Sequence, residues 1–392
     1  MNNLGVLIKY EWKKLWQKKM VKISLAVAIL LQIFSCVFSL MLTHNDYDVD
    51  EEGNIILKNS MSGYEMLMLN KKNAMVHSGR VIDDALIEEA VHAYETGEGK
   101  DEYKTIYTLL RDVFGDDISN ADAETFYRAW KSNIVADAKS DFYLKSKEAS
   151  YWSNKVDKVK MPFTYKAALF WEEILQIGAT IGAIVMILAA SCLSGVFSDE
   201  SRSGTDQLVL CTRNGKTPVY AAKIITGTLF GTGCAVMLYG ITFAIRGGVQ
   251  GIGGFNADIQ PIISNSPYAL SMGQMFLIVL ATALLASVLH SVFTMILSEY
   301  LNNAVAALLI MVVMMILSIA VDIPDSWRVL SQIHSYLPLN SVAVWNLADF
   351  RLVPFFGTHL SYFQVTAILY VLLSAGIIFI GKAKYHSKPV RQ

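Results

Sequence analysis

The chain has 392 residues, 53% hydrophobic and only 17% charged, and a mean hydropathy of +0.39. Those values exclude an ordinary string of soluble domains and place it among membrane proteins. The net charge of −1 hides a segregation, because residues 44–165 hold 23 of the 34 acidic but only 15 of the 33 basic residues, leaving the rest of the chain cationic.

In residues 1–22, Leu4, Ile8, Trp12, Leu15 and Trp16 share one helical face, and Lys9, Lys13 and Lys14 fall mostly on the other. This pattern predicts an amphipathic helix lying in a membrane interface, in contact with lipid headgroups. It feeds an apolar run over residues 23–42, which is longer than a signal-peptide core and has no small-x-small cleavage site after it, so an uncleaved first span is expected. Residues 43–166 predict a large, mostly helical extracellular domain. Val81, Ile82, Ala85, Leu86, Ala90 and Tyr94 repeat with helical spacing up to Gly97, and further helices are expected over 103–114 and 122–155. Residues 53–70 are too mixed in pattern to assign, and no β repeat is visible. None of the four cysteines falls in this region, so it is built without disulfides. Met61, Met66, Met68 and Met75 are spaced as gap-fillers of a helical core rather than as soft-metal ligands.

Five more apolar stretches follow, over residues 174–197, 224–245, 275–297, 304–321 and 362–380, against the roughly 20 residues a helix needs to cross hydrocarbon. The fourth of these is the shortest. Lysines and arginines gather before the first span, between the second and third (Arg202, Arg213, Lys216, Lys223) and after the last (Lys382, Lys384, Lys388, Arg391). The positive-inside rule therefore places residues 1–22, 198–223 and 381–392 in the cytoplasm. The opposite short loops hold only Arg246, Arg328 and Arg351. Residues 246–271 are glycine-rich and expected to be flexible, and 322–361 combine Trp327, Trp345, Pro338 and Pro354 as re-entrant or interfacial helices do. The expected fold is an all-α polytopic membrane protein of six transmembrane helices, with both termini inside.

Residues 198–223 carry the most specific pattern. Phe197-Ser-Asp-Glu200 is followed by Gly204-Thr205, the aliphatic Leu208-Val-Leu210, Arg213 and then Lys223 at the mouth of the next span. This order resembles the transmembrane permease subunit of ABC transporters of the type-2 exporter class, whose members carry Phe-x-x-Glu, Gly-Thr, paired leucines, an arginine-containing turn and a lysine. Tyr336-Leu-Pro-Leu339 extends the likeness to the last external loop. Many members have a proline between the leucines and the arginine, where this chain has Cys211-Thr212 and its nearest proline is Pro218. The resemblance implies that Glu200, Gly204, Thr205, Leu208, Leu210, Arg213 and Lys223 form a coupling helix seated on a separate ATP-binding subunit. It also implies a second permease subunit, the same chain or a sister, completing the pathway.

Physically, a short helix held rigidly by charge-assisted hydrogen bonds can act as a lever, and Glu200 is the expected pin. Gly215-Lys216-Thr217 is no phosphate loop, because Leu210 occupies the position where the first glycine is required. No segment of this region is long enough for a nucleotide-binding domain, so the chain is read as a non-enzyme without cofactors, Mg-ATP belonging to the partner. Gly227 and Gly231 form a Gly-x-x-x-Gly pair suited to close helix approach, within or between subunits. His290, deep in a span, and Glu172 and Glu173, at the mouth of another, are the candidates for the substrate pathway. The substrate is expected to be an amphipathic or hydrophobic peptide, drug or lipid, and no nucleic-acid partner is expected. The alternative reading is a non-transporting membrane sensor or immunity protein that binds its ligand in the extracellular domain.

Overall fold

A computed structural model describes residues 4–49, 55–118, 121–212, 214–344 and 349–388. The chain is mostly helical. Helix α1 (Leu4–Gln17) turns at Lys18 into α2 (Lys19–Met41), and an antiparallel hairpin, β1 (Thr43–Val49) with β2 (Ile55–Ser62), rises from its far end. Then come α3 (Gly63–Val76), α4 (Asp84–Thr96), α5 (Lys104–Phe114), α6 (Ala123–Asp141) and α7 (Ser146–Val156). The remaining helices are α8 (Leu169–Gln176), α9 (Gly178–Leu193), α10 (Gly195–Ser203), α11 (Thr205–Leu210), α12 (Thr217–Gln250), α13 (Met272–Leu301), α14 (Ala304–Ala320) and α15 (Arg328–Ser335). A small hairpin, β3 (Val353–Phe355) with β4 (Thr358–Leu360), precedes the last helix, α16 (Tyr362–His386).

Among the described residues, five helical stretches are long and apolar enough to cross a membrane: α2, α9 continued by α10, α12, α13 and α16. Helix α14 is equally apolar but has only 17 residues, since Asn303 caps it through the amides of Val305 and Ala306 and it ends at Ala320. Large apolar side chains such as Leu30, Phe34, Leu309, Ile319 and Phe379 stand exposed on α2, α14 and α16, as suits a hydrocarbon solvent. Helix α13 is the hub, packing on α9, α12, α14 and α16. Gly227 faces Met295 and Leu193, and Gly231 faces Ser291, so the Gly-x-x-x-Gly pair serves close packing of α12 on α13 within one chain. Between α2 and α12, Gln32 donates to the Thr242 hydroxyl at 2.8 Å.

Helices α4 to α7 form a module with its own core, in which Leu86, Leu110, Phe126, Trp130, Trp152 and Phe163 are buried, whereas α3 packs on α2, the β1–β2 hairpin and α12. That core also takes in Tyr268, Phe350 and Leu352 from the loops that precede α13 and β3. Trp130 donates its indole N–H to the Ser264 carbonyl and Trp152 to that of Phe350, both at 2.7 Å. Arg328 reaches Glu148 through two nitrogens, one of them at 3.0 Å. The module is thus fastened to the helices on which it stands.

Several expectations are corrected. Helix α4 starts at Asp84 because Asp83 caps it from the Leu86 amide at 3.1 Å; Val81 and Ile82 instead pair as extended chain with Thr164 and Phe163. The single helix expected over 122–155 is two, broken at Tyr143, whose φ of 51° no α-helix accommodates. Among the described residues two β-hairpins join the helices, one whose second strand alone falls in the unassigned 53–70 and one in 322–361, where a helix, α15, is also found. The glycine-rich loop is packed rather than loose. Helix α12 runs through Arg246 to Gln250, Gly254 (φ +82°) sits against Ala167 and Ala168, where a Cβ would collide, and Ala257 and Ile259 are fully buried. Trp345 lies outside the described residues.

Candidate functional site at the α10–α11 elbow

Helix α9 passes through Ser194 into α10 without leaving helical geometry. The break comes at Gly204, whose φ of +71° caps α10 and starts α11 in one residue; open space surrounds the position where a Cβ would stand, so backbone conformation alone calls for glycine. On α10, residues three apart share a face, which turns Phe197 and Glu200 inward and leaves Asp199 and Arg202 outside.

Glu200 accepts a hydrogen bond from Lys223 Nζ at 2.7 Å and forms an ion pair with Lys14. Lys223, wholly buried, also donates to Glu11 and to the Val196 carbonyl, each at 3.2 Å, and lies 5.5 Å over the Phe197 ring. Two carboxylates and two ammonium groups from α1, α10 and α12 therefore neutralise one another in a site largely shut from water, where charge-assisted bonds are strong and the loss of one member is costly. Burial, reinforced by the nearby Lys223 charge, lowers the Lys14 pKa to about 8. Beside this quartet, Lys18 donates to Asp199 at 2.7 Å and to the Gly195 carbonyl at 3.1 Å.

A second ionic group grips α10 from its other side. Lys388, just beyond α16, donates to Glu299 of α13 at 2.9 Å and to the Ser201 hydroxyl at 2.8 Å, and stands 3.6 Å from Asp206 of α11. Ser201 in turn donates to Asp206 at 3.0 Å. Between the two groups, the rings of Phe197, Tyr220 and Tyr385 meet with centroids 5.6–5.8 Å apart, and Tyr220 donates to the Ile378 carbonyl at 2.6 Å.

Of the seven residues expected at this elbow, Glu200 and Lys223 meet directly, Gly204 forms the joint, and Leu210 is in the core at 4% exposure. Thr205 and Leu208 face outward, Leu208 at 73% exposure. Arg213 lies outside the described residues. Sequence reasoning missed Glu11, Lys14, Lys18, Asp206, Glu299 and Lys388 as parts of the network. Glu11, the one acid among the lysines of α1, was the available signal. Glu299 went unseen because α13 runs to Leu301, four residues past the apolar stretch. Besides His290, the ionisable side chains of Lys223, Arg246 and Glu299 are buried among the long helices.

The three pathway candidates do not converge. His290 lines an apolar cavity between the long helices. Glu172 lines a 350 Å³ cavity under the module with Asp101, Lys104 and Asp112, and burial raises its pKa against the opposing Lys104 charge. Glu173 pairs with Arg246 at 2.8 Å and accepts from Gln250, so its charge is cancelled locally rather than offered to a ligand. No protein-family model matches the chain, and no curated protein matches it.

Proposed function

We propose that this chain is the permease subunit of an ATP-driven exporter of the type-2 ABC class, seated in a cell membrane with α14 as a sixth, short span. In this reading the elbow and both termini lie in the cytoplasm, the β1–β2 hairpin, α3 and the α4–α7 module lie outside, and a second permease subunit completes the pathway. The observation that carries it is the buried Lys223–Glu200 pair, which joins the elbow to the root of α12 at 2.7 Å while Leu208 of α11 stays exposed on its tip. A force applied to α11 by an ATP-binding partner passes through α10 into α9, and through the two ionic groups into α1, α12 and α13. The helices then tilt together, as a lever requires. Mg-ATP is bound and hydrolysed by the partner.

The test is reconstitution of the chain with its ATP-binding subunit in lipid vesicles. Glu200→Ala is expected to abolish substrate-stimulated ATP hydrolysis and efflux while the two subunits still co-purify, and Glu200→Gln to retain part of both. Efflux equal to wild type in Glu200→Ala would remove the lever role.

A further inference from the structure

Two cavities adjoin in this chain. One, of 410 Å³, lies between α9, α13, α14 and α16, its wall made of apolar side chains such as Met186, Phe293, Met311 and Leu373. The other, of 760 Å³, lies among α14, α15 and the segment before β3, and its wall carries Asp322, Asp325, His334, Asp349 and Arg351. Ser318 and Leu339 line both and mark the neck between them. Volumes of this size are typical of small-molecule sites, which pair an apolar body with a few placed polar groups.

The polar groups on the apolar wall are accounted for, with one exception. Ser318 donates to the Met315 carbonyl at 2.7 Å, and the Tyr336 hydroxyl receives Gln332 at 3.3 Å. His290 is 3% exposed; its ring is engaged by the Met186 backbone, and its Nε2 has no hydrogen-bond partner among the described residues. A buried nitrogen left unpaired in an apolar wall is a standing cost that a ligand group can remove.

The polar cavity is lined by three carboxylates, of which Asp322 is exposed, and one guanidinium. Arg351 donates to Asp349 at 2.6 Å and to Asp325 at 3.1 Å, while Asp322 has no ion pair among the described residues. The excess is negative at the place where the apolar cavity opens.

We propose that the two cavities are one site for a cationic amphiphile, with its apolar part between α13, α14 and α16, a hydrogen-bonding group at His290, and its cationic head beside Asp322 and Asp325. As a transport site it rests on the exporter reading; as a binding site it stands without it.

The test uses the full chain in nanodiscs, without any ATPase, and two photoreactive probes: an alkyl trimethylammonium with a diazirine on its tail, and the same tail ending in sulfate. Mapping of the adducts by mass spectrometry is expected to show saturable labelling of the α14 and α16 walls, at Met311, Met315 or Leu373, by the cation and far less by the sulfate. Asp322→Asn should cut cation labelling about three- to fivefold, the scale of one partly solvated charge. Ser318→Trp, which fills the neck, should abolish it. Equal labelling by the two heads, or labelling indifferent to Ser318→Trp, overturns the proposal. Failure to label leaves the exporter reading standing, whereas labelling by a chain whose complex with an ATP-binding subunit moves nothing removes the exporter and keeps the site.

Discussion

At the elbow, Glu11, Lys14, Glu200 and Lys223 tie three helices together through charge. At the opposite end, Trp130 and Trp152 fasten the module to its loops by burying their rings and giving one hydrogen bond each to a backbone carbonyl. The first kind of joint is directional and intolerant of losing a partner; the second is spread over many contacts and tolerates small shifts. A joint that must transmit force without slipping suits the first, and a platform that must hold its shape suits the second.

That contrast can be broken at either end. The largest effect is expected from Trp152→Ala, which empties a fully buried site and orphans the Phe350 carbonyl. A loss of about 3–5 kcal/mol is expected from core truncations of this kind, read as unfolding and rapid proteolysis of the module while Glu200-dependent coupling is kept in what remains folded. Glu200→Ala should cost about 3 kcal/mol, because it leaves the buried Lys223 with Glu11 as its one carboxylate partner. Replacing both partners, Glu200→Leu with Lys223→Met, should recover most of that thermal stability and none of the coupling, and a double variant no more stable than the single one would deny that the pair is the relevant unit.

Sharpening the contrast calls for finer changes. Lys14 has its pKa lowered from 10.5 to about 8, mainly by burial. Between those values the unfolded chain binds the proton that the folded chain has released, so stability rises with pH in that window. Wild type should therefore gain on Lys14→Met in thermal unfolding from pH 8 towards 10.5, and a constant difference between the two would contradict the burial. The smallest effect on stability, within about 0.5 kcal/mol, is expected from Leu208→Ser on the exposed tip of α11. If the proposed exporter reading holds, the same variant should nonetheless lose capture of the proposed ATP-binding subunit in a pull-down from membranes.

Much of this was legible in the sequence where one short-range pattern decides the outcome. Apolar length marked the long helices, and the order Phe197, Glu200, Gly204, Thr205, through its resemblance to a known family, drew attention to the segment in which the elbow lies. The partners of those residues were not legible: Glu200 meets Lys14 and Lys223, and Lys388 meets Glu299, across long stretches of chain that no local pattern relates. The hairpin of β1 and β2 escaped for a different reason. Among its described side chains His44, Asn45, Leu57, Asn59 and Ser60 are exposed, and residues with no buried face beneath them carry no alternation to read.

The hydrogen bond from Trp152 to Phe350 joins positions 198 residues apart, with most of the apolar helices lying between them in the chain. During synthesis the module therefore emerges well before the segments that complete its core. Trp152, Phe163 and their neighbours must wait, partly uncovered, until α13, α14 and the loop ahead of α16 have been made. Contacts of such long sequence separation form late and leave an aggregation-prone interval. Truncation after α12 should accordingly yield a module that chaperones hold and proteases remove, so the last third of the polypeptide governs whether the first third matures.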